Sequence, residues 1–218
     1  MSRFKSEQRE YVVSENIQIY IKDKPTIKLD IDSIFKKIQS AVPPHLMTEI
    51  DMIFIGMFEE FEKTDTNALY KDGAIYISNQ QESPQDIVDD IVHEMAHSLE
   101  TPYGHYIYAD GKLEKEFLAK REKLYDILVA DGETPKKSLF ENPEYSLELD
   151  EYLYKEVGYD KLNLIAATYS LFVSAYAATA MREYFASGFE YYYLDDRTYL
   201  AEISPELFLK IEGLNNNE

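Results

Sequence analysis

The pattern of hydrophobic and polar positions differs between the two halves of the chain. In the first half, short apolar runs typical of β-strands occupy residues 17–22, 51–58 and 74–78. Residues 32–41 have the spacing of an amphipathic helix, which is expected to end before Pro43 and Pro44. This half therefore predicts a small sheet accompanied by a helix.

A longer helix is predicted after the third of these strands. Ser83 suits its N-cap, Pro84 its first position and Asp86 its third, where a carboxylate can complete a capping box. The helix is expected to cover residues 84–100. Its apolar positions form one stripe, which predicts the face that packs on the core. They are Val88, Ile91, Val92, Met95 and Leu99.

The second half of the chain is predicted to be mostly helical. Helices are expected at 112–130, within the apolar run 161–193 and at 204–212. Between the first two, residues 134–160 are rich in tyrosine and acidic residues. The predicted fold class is therefore α+β, with a small N-terminal sheet and a mainly helical C-terminal half.

The charge balance narrows the classes of partner. The chain has 22 Lys and Arg against 41 Asp and Glu, so its net charge is −19. This charge repels nucleic acids and anionic membranes and favours a basic substrate. No run approaches the roughly 18 apolar residues of a membrane span, and the first residues lack the apolar stretch of a signal peptide. We therefore expect a cytoplasmic protein that binds neither nucleic acid nor membrane.

The predicted helix at 84–100 carries two histidines one turn apart. His93 and His97 point within about 40° of each other and away from the apolar stripe, so both imidazoles can bind one ion. The chain contains no cysteine, so any metal must be held by histidine and carboxylate. Glu94 lies close enough to hold a water molecule that the metal activates. This HExxH arrangement predicts one zinc ion per chain and a hydrolase with Glu94 as general base.

Asp90 precedes His93 by three residues on the same helix face. Its carboxylate can orient a ligand imidazole by accepting a hydrogen bond from it. Alternatively, Asp90 is one of several acidic residues that suit the early turns of a helix, where the dipole favours negative charge. The sequence leaves both roles open and favours the second.

The third metal ligand is expected to be a carboxylate from a downstream helix. The candidates are Glu148, Glu151, Glu156, Glu183 and Glu190. Glu183 has alanine, aromatic and small residues around it, where a carboxylate is costly unless it binds a metal or pairs, for instance with Arg182. Tyr176 precedes Glu183 by seven residues, so on a continuous helix both project from nearly the same face. Its hydroxyl can then donate to the oxyanion of a tetrahedral intermediate.

These motifs together resemble one known family. HEMAH at 93–97, Tyr176, Glu183 and the run EYFASGFEYYY are similar to the catalytic domain of anthrax toxin lethal factor and its relatives, which include secreted Pro-Pro endopeptidases. The resemblance implies a zincin-like metallopeptidase fold. The implied roles are zinc ligands for His93, His97 and Glu183, general base for Glu94 and oxyanion stabiliser for Tyr176.

The resemblance covers residues around 70–105 and 165–212. We interpret the chain as a single zincin-like catalytic domain over 1–218. Its predicted parts are an N-terminal subdomain at 1–100, an insertion at 101–160 and a C-terminal helical subdomain at 161–218. The insertion either forms an acidic, aromatic lid or packs on the body through the helix at 112–130, and the second arrangement is favoured.

In zincins, a strand before the HExxH helix binds the substrate peptide as an added antiparallel strand. Residues Ala74, Ile75, Tyr76 and Ile77 occupy that place in the sequence. They are predicted to bind a peptide or protein substrate, and the alternative is an ordinary internal strand. The sequence carries no signal for the oligomeric state.

Two other functions are compatible with the motif. A protease-like regulatory protein would bind a partner with little or no turnover, and a structural domain would use zinc only for folding. The presence of both Glu94 and Tyr176 argues against the first. Structural zinc sites have four protein ligands, and only three good ones are found here. The favoured function is a zinc-dependent metalloendopeptidase.

Overall fold

The computed structural model describes residues 9–13, 17–59, 61 and 66–216. These residues divide into two compact units, of which the first ends at Thr101 and the second begins at Pro102. Strands occur in the first unit, whereas the regular elements described in the second are helical. The predicted α+β class is therefore confirmed, with its small sheet near the N-terminus and helices in the C-terminal half.

The first unit is built on a mixed five-stranded sheet. Its strands are β1 Arg9–Val13, β2 Ile17–Ile21, β3 Met52–Gly56, β4 Ala68–Lys71 and β5 Ala74–Ser78. The order is β1-β2-β3-β5-β4, in which the three inner strands run parallel and each outer strand is antiparallel to its neighbour. Strands β2, β3 and β5 confirm the three predicted strands, whereas the sequence pattern does not predict β1 and β4.

A tight hairpin places β4 at the edge of the sheet. Its turn residues Asp72 and Gly73 have positive φ angles of 49° and 80°, which the two-residue turn of a type I′ hairpin requires. The Ser78 N–H donates to the Asn67 carbonyl at 2.7 Å and extends the pairing past the end of β4. Strand β5 therefore lies between β3 and β4.

The first unit contains helix α1, Ile31–Ala41, as predicted. The Asp30 carboxylate caps it by accepting from the Ser33 N–H at 3.1 Å. Helix α2, Pro84–Tyr108, begins at the predicted residue but extends past the predicted end at residue 100 and through Pro102. Its last turns bury Ile107, an apolar position that the predicted stripe does not include.

The second unit continues with helices of very different lengths. They are α3 Lys112–Ala130, α4 Lys137–Phe140, α5 Leu147–Glu151, α6 Tyr159–Tyr169, α7 Met181–Leu194, α8 Arg197–Ile203 and α9 Pro205–Asn215. A π-helical turn covers Tyr152–Val157 and a 3-10 turn covers Tyr176–Ala178. In the described part of the chain, no helix is both long enough and apolar enough to cross a membrane.

The apolar run at 161–193 is not one continuous helix. Helix α6 ends at Tyr169, and the next residue, Ser170, adopts the left-handed conformation with φ 52°. Helix α7 begins only after Ala180, whose extended backbone (φ −155°, ψ 159°) interrupts helical geometry. The prediction that Tyr176 and Glu183 lie on one face of the same helix is therefore wrong.

Glu116 of helix α3 caps a distant helix. Its carboxylate accepts from the Glu206 and Leu207 N–H groups at 2.8 and 3.1 Å, at the start of α9. It also accepts from the buried Tyr184 hydroxyl at 2.9 Å. The first N–H groups of a helix have no acceptor within that helix. The Glu116 carboxylate supplies the acceptor that these two N–H groups need.

Lys120, one turn further along α3, binds the junction between α8 and α9. Its ammonium donates to the Ile203 carbonyl at 2.6 Å and to the Ser204 hydroxyl at 3.0 Å. Burial lowers the pKa of Lys120 to about 8, although Glu116 nearby opposes the shift. Helix α3 thus supplies both an anion and a cation to the ends of the last two helices.

Candidate metal centre

Helix α2 begins at a capping box, as predicted. The Asp86 carboxylate accepts from the N–H groups of Glu82 and Ser83 at 3.0 and 2.9 Å and from the Ser83 hydroxyl at 2.6 Å. The hydrogen bond from the Ser83 hydroxyl lowers the pKa of Asp86, so the carboxylate is charged where the helix dipole favours an anion. The predicted apolar stripe of the helix is buried throughout. The cap and the stripe together fix which face of α2 turns away from the core.

That other face brings His93, Glu94 and His97 together. One potential ligand atom of each residue lies within 4.8 Å of those of the other two. The imidazole rings have centroids 5.2 Å apart and planes inclined at 68°. Both histidines are half-buried, and Glu94 is only 7% exposed. Two imidazoles at this spacing can contribute two ligands to a divalent metal ion, with the Glu94 carboxylate beside them.

Glu94 is held by the edge of the sheet. The Tyr70 N–H in strand β4 donates to Glu94 Oε2 at 2.6 Å. A buried carboxylate needs such donors, and a hydrogen bond to a charged acceptor is stronger than one between neutral groups. The contact joins the helix that carries the histidines to the outer strand of the sheet.

His97 has a carboxylate partner that the sequence analysis missed. Its Nδ1 lies 3.1 Å from Glu100 Oε1, and the two side chains are 11% and 13% exposed. If Nδ1 donates to this carboxylate, Nε2 is the ring nitrogen that could bind a metal ion. A signal was available, because a glutamate three residues after the second histidine lies on the same helix face.

Asp90 is tied to the end of strand β5. Its carboxylate accepts from the buried Gln81 amide at 2.8 Å, and the same amide nitrogen donates to the Ser78 carbonyl at 3.3 Å. This link fixes the first turns of α2 against the loop that precedes it. The contact of Asp90 with the His93 imidazole stays a prediction.

The predicted ligand Glu183 and the predicted oxyanion donor Tyr176 both lie in the second unit. Glu183 is half-buried in the first turn of α7, and the residues that follow it in the helix, from Tyr184 to Phe189, are all buried. Tyr176 opens the 3-10 turn before that helix and is also half-buried. Because the histidine pair belongs to the first unit, the joint site stays a prediction.

One prediction is wrong: a peptide cannot bind as an added strand to Ala74, Ile75, Tyr76 and Ile77. These residues form β5, which pairs with β3 on one side and with β4 on the other. Both rows of main-chain groups are therefore engaged, and none is left for a peptide. The outer strand next to the motif helix is β4, which is too short to give a clear sequence signal.

The acidic, tyrosine-rich segment of the second unit contacts the start of α7. The Met181 N–H donates to the Pro143 carbonyl at 2.8 Å. The Tyr145 hydroxyl donates to Asp150 at 2.9 Å. Burial raises the pKa of Tyr145 to about 12, with further contributions from Asp150 and, less strongly, from Glu183. Tyr145 is therefore a neighbour of the predicted third ligand.

Helix α3 packs through its apolar positions. The sequence favoured this arrangement over an acidic, aromatic lid. Leu113, Phe117, Leu124 and Leu128 are buried. Most acids of the following segment are exposed to solvent. A cavity of about 610 Å³ lies on the other side of the helix, against α4. It contains none of the predicted site residues and gives no support to the metal chemistry.

Comparison of the chain with protein-family models, with curated proteins and with solved structures gives no match. The resemblance to lethal factor-like zincins therefore still depends on the motif residues alone. Support for a function therefore comes from the geometry of those residues.

Proposed function

We propose that this protein is a zinc-dependent metalloendopeptidase with a zincin-like fold. The observation that carries the proposal is the cluster of His93, Glu94 and His97, whose ligand atoms lie within 4.8 Å of one another on one helix. The two imidazoles would hold one zinc ion per chain, and Glu100 would orient one of them. Bound zinc would supply Lewis-acid activation of water and of the scissile carbonyl.

Glu94 would act as the general base. Its carboxylate is buried and lies next to the histidine pair, where it can take a proton from the attacking water. The water oxygen then bonds to the carbonyl carbon, the C–N bond breaks, and the carboxyl group returns the proton to the leaving amine. Glu94 therefore ends the cycle in the state in which it began.

Glu183 would complete the metal site, and Tyr176 would donate to the oxyanion. The support for Glu183 is its half-buried place in the first turn of α7, directly before a run of buried residues. Metal binding by three protein ligands leaves a position open, which distinguishes a catalytic zinc site from a structural one. Both roles come from the resemblance and require the two units to meet at the site.

A substrate peptide would bind to strand β4 instead of β5. Strand β4 is the outer strand of the sheet, and its residue Tyr70 contacts the proposed base. Main-chain pairing would hold the peptide in an extended conformation beside Glu94. The net charge of −19 favours peptides with basic side chains.

The test combines metal content with peptide cleavage. The purified protein should contain about one zinc per chain and should cleave a mixed peptide library. Glu94→Gln should keep the zinc and lose the cleavage, whereas Glu82→Gln, at an exposed position just before the same helix, should cleave like the wild type. Absence of zinc would refute the metal site. Zinc without cleavage would refute the peptidase and favour a protein that binds a partner without turnover.

A further inference from the structure

The two rows of main-chain groups on strand β4 point in opposite directions. The Ser78 N–H bonds to the Asn67 carbonyl, so residue 67 and every second residue after it face β5. Tyr70 therefore directs its N–H and C=O away from β5, on the side of β4 where the described residues add no further strand. Its N–H does not remain available there, because it donates to Glu94 Oε2 at 2.6 Å.

We propose that the main-chain amide of Tyr70 is a positioning group for the general base. The inference rests on the proposed peptidase function and adds to it a group outside the HExxH motif. Glu94 is 7% exposed, so its carboxylate has little water to orient it. A hydrogen bond to one carboxylate oxygen restricts rotation of the group and holds it beside the histidine pair.

The contact also limits how a peptide can pair with the edge of the sheet. On the outward row of β4, a peptide added as a strand could pair with the N–H and C=O of Ala68 and with the C=O of Tyr70. The Tyr70 N–H is already used by Glu94. A bound peptide would therefore lack the hydrogen bond from the Tyr70 N–H, next to the base. In this proposal, β4 both binds the substrate and positions the base.

Two substitutions at residue 70 separate the amide from the side chain. The Tyr70 hydroxyl donates to the Glu49 carbonyl and accepts from the Gly73 N–H, and Tyr70→Ala and Tyr70→Pro both lose these contacts. Only proline also removes the N–H. Proline is tolerated on outer strands where the N–H faces away from the ladder, so β4 should still pair with β5.

The expected result is a difference in kcat between the two variants. Tyr70→Pro should have a kcat at least about tenfold below that of Tyr70→Ala, because it loses a hydrogen bond to a charged group. KM should agree within about threefold and the zinc content should be equal, since neither the peptide-pairing groups nor the ligands change. Equal kcat values for the two variants would overturn the positioning role.

Hydrogen exchange tests the same contact without activity and without the proline variant. The Tyr70 amide should exchange at least about tenfold faster in Glu94→Ala than in the wild type. The Leu69 amide, which points into the ladder with β5, should be unchanged and serves as the internal control. Unchanged exchange at Tyr70 would overturn the inference even if Tyr70→Pro failed to fold.

The outcomes distinguish this inference from the proposed function. A wild type that binds zinc and cleaves peptides, with equal kcat in both Tyr70 variants, would leave the peptidase standing and remove the positioning role. A wild type without cleavage would remove both. In that case, faster exchange at Tyr70 in Glu94→Ala would show that the contact exists but has no role in catalysis.

Discussion

Replacement of Glu100 tests the proposed metal centre without relying on activity. Glu100 is not part of the HExxH pattern, yet its carboxylate lies 3.1 Å from His97 Nδ1. In Glu100→Ala the His97 imidazole loses the partner that fixes its orientation and its tautomer. We expect this variant to fold and to bind zinc more weakly than the wild type.

The size of the effect follows from the burial of the contact. The His97 and Glu100 side chains are 11% and 13% exposed, so solvent screens the bond little. Loss of such a partner from a metal-binding histidine weakens metal affinity by about 10- to 100-fold, or about 1.4 to 2.7 kcal/mol. Glu100→Gln keeps an acceptor oxygen but no charge, so its affinity should fall between those of the wild type and Glu100→Ala.

The assay is a competition titration of zinc between the protein and a chromophoric chelator at constant pH and salt. Circular dichroism of each variant checks that the helices are retained. Glu82→Gln is the matched control, because it removes the same charge at an exposed position that makes no contact with the histidine pair. Its zinc dissociation constant should equal that of the wild type.

Two results would refute this reasoning. A zinc dissociation constant for Glu100→Ala within about twofold of the wild type would show that the Glu100 contact does not orient a ligand. An equal weakening in Glu82→Gln would show that net charge causes the effect rather than the contact with His97. Either result would leave HExxH as the only support for the metal site.

Three further outcomes are expected. Zinc titration should show an affinity at least about tenfold lower for Glu183→Gln and unchanged for Glu190→Gln on the same helix. Urea denaturation should show Glu116→Ala less stable by about 3 kcal/mol, since three hydrogen bonds to a carboxylate are lost, and the exposed Glu114→Ala within about 0.5 kcal/mol of the wild type. The difference between the ultraviolet titrations of the wild type and Tyr145→Phe should show one tyrosine that ionises near pH 12. The raised pKa stabilises the fold fully below pH 10, and this contribution should be lost as the pH rises through about 12.

The motif helix could be predicted from sequence because its signals are local. Ser83, Pro84 and Asp86 define its start within four positions, and the apolar stripe defines its buried face within five turns. Such patterns depend on the geometry of one helix and not on the rest of the fold. The clustering of the histidines with Glu94 follows from the same geometry.

The order of the strands could not be predicted in the same way. Strand β4 has only four residues, and nothing in them distinguishes an outer strand from an inner one. One signal was available, because the Asp72–Gly73 pair before AIYIS is typical of a two-residue hairpin turn. Reading it as a hairpin would have placed β4 next to β5.

The residue types around the helix break before Glu183 do not indicate that break. Residues around Tyr176 are alanine, serine and aromatic side chains that are compatible with a helix, and no proline or glycine marks the interruption at Ala180. The segment leaves helical geometry through tertiary contacts, such as the Asn163 side chain that accepts from the Ala175 N–H at 2.7 Å. Periodicity alone cannot detect such contacts.

The attachment of the last helix to Glu116 and Lys120 limits where the chain can be shortened. A protein cut after Ile203 would lose the N–H groups of Glu206 and Leu207 that the Glu116 carboxylate binds. It would also open the side of α3 on which Lys120 is buried. Truncation before helix α9 should therefore yield an aggregating product.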